Sequence, residues 1–320
     1  MKEFDIVGLG VSTVDLLFVV DELPGTELVQ KAHASAIEGG GPVATAIASA
    51  ARLGAGTAML DRVGDDILGR MIQEEFRAAG VNTDGIVVGE GRTSSKASIL
   101  VRERDGARTI TYSPGDCGDL TQADVREEIV TAARILHVNG RHWDACLHAV
   151  RVARKAGVSV SFDGGAHRYT PQHRELVALA DICIVAEEYA TSFAARSEIE
   201  AAAGTLLQLG PKIVVITQGK GGSWIYPAEG AAFHQEAYPV DDLVDTTGAG
   251  DAYHGAFLFG IARGFSLKKA ARYASAVGAL NTRALGGRSA LPTLREVEGF
   301  LPLVATYSSP QRGEVGRGEG

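Results

Sequence analysis

The densest chemistry in the chain lies in Asp245-Thr246-Thr247-Gly248-Ala249-Gly250-Asp251, which runs directly into the apolar segment AYHGAFLFGIARG. Glycines and an alanine at a helix start leave backbone N–H groups without intrahelical acceptors and without side-chain cover. The helix dipole adds partial positive charge, so such a turn is an anion site. Asp251 falls in the first helical turn, beside that anion and within reach of the proton on an attacking hydroxyl. Phosphoryl transfer needs both features: charge stabilised on the moving group, and an oriented nucleophile. A lone Asp at a helix start is more often a cap. The seven-residue context turns the balance toward chemistry.

Other stretches offer binding groups. Thr217-Gln218-Gly219-Lys220-Gly221-Gly222 follows the apolar run Ile213–Thr217, and its glycines allow backbone to approach phosphates or ribose; a plain Gly-rich hairpin turn competes with that reading. Gly39-Gly40-Gly41 opens an Ala-rich segment, Pro42–Leu53, that stops at Gly54 as a helix would. Arg141 follows the apolar run Ile135–Asn139. An arginine there suits a substrate carboxylate, sulfonate or phosphate through bidentate hydrogen bonds, with an exposed loop arginine as the alternative. Lys31 and Arg108 are weaker candidates for the same task. His137, His142 and His167 read as loop or packing residues, because Asp251 already fills the base role. GLGVST at 8–13 has Thr13 where a dinucleotide fingerprint needs its third glycine, and no GxxxxGK[ST] occurs.

These residues need a scaffold, and the hydrophobic pattern supplies one. Strands are expected at 5–10, 16–20, 28–37, 57–63, 94–101, 107–112, 135–139, 158–163, 182–185, 213–217, 223–226 and 232–237. Helices are expected at 42–53, 65–79, 145–156, 175–180, 199–209, 249–263 and 267–282. Strand–helix alternation from about residue 120 implies a mostly parallel sheet covered on both faces. The β segments within 14–38 and 92–113 break that alternation and are expected to form a small sheet serving as a lid, with Asp105-Gly106 turning the second pair. One α/β domain over 1–307 is expected, followed by a tail, 308–320, too polar to fold. No internal repeat is visible.

Bulk properties narrow the function. The chain has 320 residues, 45% of them hydrophobic and 22% charged, ample for a large core. A net charge of -8 argues against non-specific nucleic-acid binding. Cys117, Cys146 and Cys183 share no short spacing, so neither a disulfide frame nor a zinc site is expected. The N-terminus lacks a signal-peptide pattern, and no apolar run reaches the roughly 20 residues that span a bilayer. A cytoplasmic location and no membrane partner are expected.

Residues 245–251 match in full the D-T-x-G-A-G-D signature of the ribokinase-like, PfkB-type carbohydrate kinases, and the chain resembles that family over roughly residues 3–303. Gly39–Gly54, Arg62-Val63-Gly64-Asp65-Asp66 and Val81-Asn82-Thr83 resemble further family landmarks. The resemblance implies a three-layer α/β/α fold with a β lid and an ATP- and Mg²⁺-dependent sugar kinase. Asp251 would be the base and the Gly248, Ala249 and Gly250 amides the anion hole. Asp15, with Gly40 and Gly41, would bind sugar hydroxyls, alongside Arg141. Thr217, Gly219, Gly222 and Asn281 would hold the nucleotide. Asp245 and Thr247, with the loop 286–289, resemble the monovalent-cation (K⁺) site of some members. The family's N-x-x-E, which organises magnesium through water, is replaced by Ala186-Glu187-Glu188-Tyr189, leaving Glu188 as the expected substitute. Thr45 stands where the first signature usually has Asn. GGGPVATA, SSKASILV and TRALGGRSALP look most like the branch of sulfofructose kinases, fructokinases and 2-keto-3-deoxygluconate kinases. A sugar or sugar-acid substrate and a homodimer paired through the lids are expected. A nucleoside kinase, and a non-catalytic sugar-binding regulator on this scaffold, stand as alternatives.

Overall fold

The computed structural model describes residues 2–25, 29–104 and 108–307. In chain order the first half is β1 (Phe4–Leu9), β2 (Thr13–Val20), β3 (Ala34–Gly40), α1 (Pro42–Arg52), β4 (Thr57–Gly64), α2 (Ile67–Ala78), β5 (Val81–Gly89), β6 (Lys96–Arg102), β7 (Arg108–Ser113), α3 (Glu127–Thr131), β8 (Ala133–Val138) and α4 (Trp143–Lys155). The second half is β9 (Ser159–Gly164), α5 (His173–Leu179), β10 (Ile182–Ala186), α6 (Glu187–Ala194), α7 (Ile199–Leu207), β11 (Ile213–Thr217), β12 (Ser223–Pro227), β13 (Phe233–Gln235), α8 (Ala249–Ala262), α9 (Leu267–Asn281) and α10 (Leu294–Tyr307).

Nine strands form one sheet in the order β13-β12-β11-β10-β9-β8-β1-β4-β5. β12 runs antiparallel to both its neighbours, and the remaining ladders are parallel. Near-continuous apolar strands such as ICIVA and ARILHV are what a sheet buried on both faces requires. Two apolar cores flank it. One centres on Ile47, Phe76, Phe257 and Val277 under α1, α2, α8 and α9; the other centres on Val150, Phe162, Tyr189 and Leu206 under α4 to α7. The layering is the α/β/α arrangement expected from the pattern. α1 and α8 cross at backbone distance, because a Cβ on Gly255 would collide with the Ala46 carbonyl. Ser49 Oγ donates to the Ala252 carbonyl across that crossing, at 3.0 Å.

β1 sits between β8 and β4; the chain leaves β1 toward β4 and leaves β8 toward β9, so the strand order reverses between them. The loops after β1 and β8 therefore diverge around a crevice at the strands' C-terminal ends, where open α/β sheets bind ligands. His142, left-handed at φ 53°, staples this rim. Its Nε2 lies 2.9 Å from Asp61, which also accepts the Ser12 and Arg62 amides. Burial works against its imidazolium, but Asp61 and Asp119 outweigh burial and raise its pKa.

A second sheet, ordered β3-β2-β6-β7, projects from the crevice; β2 and β6 pair in parallel and the outer pairs are antiparallel. It is the expected lid, with β3 displaced. That strand runs over Ala34–Gly40 rather than 28–37, because its register places Gly40 opposite Thr13. Residues 29–33 are not strand, and Leu28 lies outside the described residues. The expected Asp105-Gly106 turn, with Ala107, and the tail 308–320 also lie outside them. β5, α3, α6 and α10 went unpredicted. β5 carries Asp-Gly mid-strand and a register shift against β4, so its alternation is broken. α10 contains Gly299 and Pro302, which ordinarily end a helix. All three cysteines are buried free thiols.

Candidate active site

The loop 245–251 leads directly into α8. Gly248 caps α8 in the left-handed conformation at φ 70°, and a Cβ there would sit 2.6 Å from the Gly287 Cα. Only glycine allows that close approach of two loops. Ala249, Gly250 and Asp251 form the first turn, where amides lack intrahelical acceptors, and a Cβ at Gly250 would meet nothing within 4 Å. The space in front of these amides is thus open. Asp245 is fully buried and braces it: one carboxylate oxygen accepts the Thr247 amide and hydroxyl at 2.9 and 2.8 Å, and the other accepts the Gly286 amide at 3.0 Å. Burial pushes the Asp251 carboxyl up to about 7; Arg168 opposes the rise, while Asp163 adds to it.

The expected sugar end assembles beside it. Asp15, on β2, accepts from Thr13 Oγ1 at 2.7 Å, and burial raises its pKa. A Cβ on Gly40 would overlap the Asp15 carboxylate, and one on Gly41, at φ 94°, would overlap the Val11 carbonyl. Glycine is therefore required at Gly41, and at Gly40 any larger residue would displace the Asp15 carboxylate. Behind them lies Arg288, a buried arginine absent from the sequence-based site. Its guanidinium donates to Thr45 Oγ1 (3.1 Å), Glu75 (2.9 Å) and the Gly40 carbonyl (2.6 Å). Its amide donates to Glu38, which also accepts from Ser289 Oγ. Thr45, the departure from the usual Asn, is here an arginine acceptor.

Three further arginines border the crevice. Arg108, on lid strand β7, donates to Thr246 Oγ1 at 3.1 Å, joining the lid to the loop before α8. Arg141 stacks its guanidinium over the lid's Tyr112, 5.7 Å from the ring centroid. Arg168, in the loop after β9, acts electrostatically on both Asp163 and Asp251. Arg168 and Asp163 were missed from sequence; their only signal was position, at and after the C-terminal end of a parallel strand. Lys31 is exposed and outside any strand.

The nucleotide candidates are less open. Thr217 ends β11, Gly219 is left-handed at φ 55°, and Gly222 must be glycine because a Cβ would strike the Gln235 carbonyl. Asn281 is fully buried, its amide donating to the Gly287 carbonyl at 3.0 Å, so it supports the loop that meets Gly248. Glu187 and Glu188 open α6 at the end of β10. Glu187 accepts from Gln218 of the Gly-rich loop at 3.1 Å, whereas Glu188 accepts the His167 amide and Ser192 Oγ. Those donors lower the Glu188 pKa.

The chain matches known proteins over more than nine-tenths of its length. The model of the pfkB family carbohydrate kinases matches residues 3–294. A 5-dehydro-2-deoxygluconokinase of Listeria monocytogenes is 30% identical, the match covering 94% of this chain and 96% of the relative. An Escherichia coli structure described as a candidate ribokinase II in complex with ATP and Mg²⁺ superposes with a TM-score of 0.82 at 25% identity, covering 94% and 99% of the two chains. Arabidopsis thaliana ribokinase complexed with ribose and ATP gives 0.81 at 25% identity, covering 93% and 98%. Agreement in sequence over residues 3–294, together with a fold shared with sugar- and ATP-bound kinases, makes this chain a member of the pfkB family of carbohydrate kinases.

Proposed function

We propose that this sugar kinase phosphorylates a hydroxyl of an anionic sugar, a sugar acid of the kind named for its Listeria relative. The observation that carries the reading is the set of cationic side chains Arg108, Arg141 and Arg168 bordering a crevice that holds Asp15 and Asp251. Arginine forks fit carboxylates, while Asp15 offers an acceptor to sugar hydroxyls. Asp251 takes the proton from the attacking hydroxyl as the γ-phosphoryl group of ATP moves, and the Gly248, Ala249 and Gly250 amides stabilise the charge on it. Thr217, Gly219 and Gly222 line the nucleotide side, with Asn281 fixing the adjoining loop. Mg²⁺, when bound, neutralises phosphate charge; the Glu187–Glu188 pair at the α6 start would hold it through water. Asp245 and Thr247, with the loop 286–289, would hold a monovalent cation such as K⁺. Free thiols and ATP dependence suit a cytoplasmic enzyme.

The test is ADP release across fructose, ribose, nucleosides, sulfofructose and keto-deoxy sugar acids. Sugar acids should give the highest kcat/KM. Arg141→Ala should raise KM for them about 10- to 100-fold, the loss of a charge-assisted hydrogen bond, with kcat little changed. Equal turnover of neutral sugars would remove the anionic assignment and leave the kinase. Turnover confined to nucleosides would favour a nucleoside kinase, and silence with intact sugar binding a regulator.

The lid's outer face supports a dimer. Phe18 and Ile37 are 37% and 60% exposed on one face of a sheet whose opposite face buries Leu17 and Ile99. An apolar sheet face seeks a partner. Sedimentation should give a dimer, and F18E/I37E a monomer. A monomeric parent would remove the lid pairing.

A further inference from the structure

Beneath the crevice, between the sheet and α8, three side chains point polar atoms at one another with nothing to bond. His137 leaves β8, Asp163 leaves β9 and His254 lies on α8; they are 0%, 3% and 4% exposed. His137 Nε2, both Asp163 oxygens and His254 Nδ1 have no hydrogen-bond partner. One ligand atom from each lies within 4.8 Å of the others, with His254 Nδ1 and Asp163 Oδ1 3.8 Å apart. Unpaired polar atoms in a core cost about 1–3 kcal/mol each, so three converging on one point call for a guest.

We propose that His137, Asp163 and His254 form a buried binding site for one divalent transition-metal ion of the Zn²⁺ class. Two imidazoles and one carboxylate are a ligand set for such ions rather than for Mg²⁺ or Ca²⁺, which prefer oxygen. Metal–ligand bonds of about 2.0–2.2 Å bring tetrahedral ligand atoms to about 3.3 Å apart, so the site closes by roughly 0.5–1.5 Å on binding. The surroundings support it. His137 Nδ1 is 3.1 Å from Ser161 Oγ, its cross-strand neighbour, which orients the ring and leaves Nε2 for the ion. Arg168 is a nearby cation acting on Asp163 and His254. The site stands apart from the magnesium position proposed at Glu187–Glu188, and it does not depend on the kinase assignment.

Chelator-stripped protein should take up one equivalent of Zn²⁺ in equilibrium dialysis without nucleotide, with a Kd at or below about 1 µM. Co²⁺ in its place should give the visible absorption bands of a low-symmetry four- or five-coordinate site, displaced by Zn²⁺. His254→Leu and His137→Leu, checked for folding by circular dichroism, should each weaken uptake at least about 100-fold. His33→Ala, in the exposed Asp21–His33–Glu103 cluster, should leave it unchanged. Sub-stoichiometric uptake with only the spectrum of hexaaqua Co²⁺ would overturn the proposal and assign the three atoms to a bridging water. So would uptake lost in His33→Ala and kept in folded His254→Leu. The parent's stoichiometry and spectrum decide the matter even if both core variants misfold.

Discussion

Asp251→Asn should lower kcat by about 10²- to 10⁴-fold while the far-ultraviolet spectrum and solution mass stay unchanged. The substitution keeps the side chain's shape and removes only its ability to accept the hydroxyl proton. In the proposed mechanism the same group sets the acid limb of the reaction. Burial holds Asp251 at about 7, so kcat/KM should fall as the pH drops below neutrality and the carboxylate takes up its proton. Stability moves the other way. Between the ordinary carboxylate range and pH 7 the folded chain holds a proton that the unfolded chain has lost. This group's contribution to stability therefore declines as pH rises through that window. Asp251→Asn escapes the decline, so its melting temperature should gain on the parent's from pH 5 to pH 8. A folded variant with full activity, or a parent whose kcat/KM is flat from pH 5.5 to 8, would dismiss Asp251 as the base.

Arg288→Met should cost about 3 kcal/mol in urea unfolding, at the lower end for a broken buried ion pair because Glu75 is about one-third exposed. The loss includes three side-chain hydrogen bonds, to Thr45, Glu75 and the Gly40 carbonyl. It also includes the guanidinium packed 5.3 Å from the Phe76 ring. Arg288→Lys keeps the charge but not the fork, and should cost about 1–3 kcal/mol. Both should raise the sugar KM, since Gly40 positions Asp15 and Arg288 fixes the Gly40 carbonyl. A Met variant as stable as the parent would mean that desolvation already cancels the network's gain.

What could be read in advance was what lies contiguous in the chain. Gly248, Ala249, Gly250 and Asp251 occupy one helix start, and the Gly40–Gly41 turn with Asp15 lies within one lid ladder. The alternating apolar runs likewise specified the sheet and its two covering layers. Arg168, Arg288 and Glu38 were not legible, because their roles come from partners far off in sequence: Arg288 meets Gly40 across 248 residues. Arg108, read as a weak candidate, gains weight from its bond to Thr246. His137 was read as packing, and it is buried; its unpaired nitrogen exists only because β9 and α8 bring Asp163 and His254 beside it. α10 escaped because local breaker rules outweigh tertiary packing when a chain is read alone.

The central position of β1 has a consequence for synthesis. The first strand made is flanked by β4 and by β8, and the crevice beside it is completed by α8 and the Arg288 loop near the end of the chain. Such long-range closure is slow and comes late. A ribosome-bound chain therefore carries its sugar-side residues exposed and unassembled until almost all of the polypeptide has emerged. No prematurely terminated product can hold Asp251 and the Asp15 turn in register, so truncated chains should be unable to consume ATP.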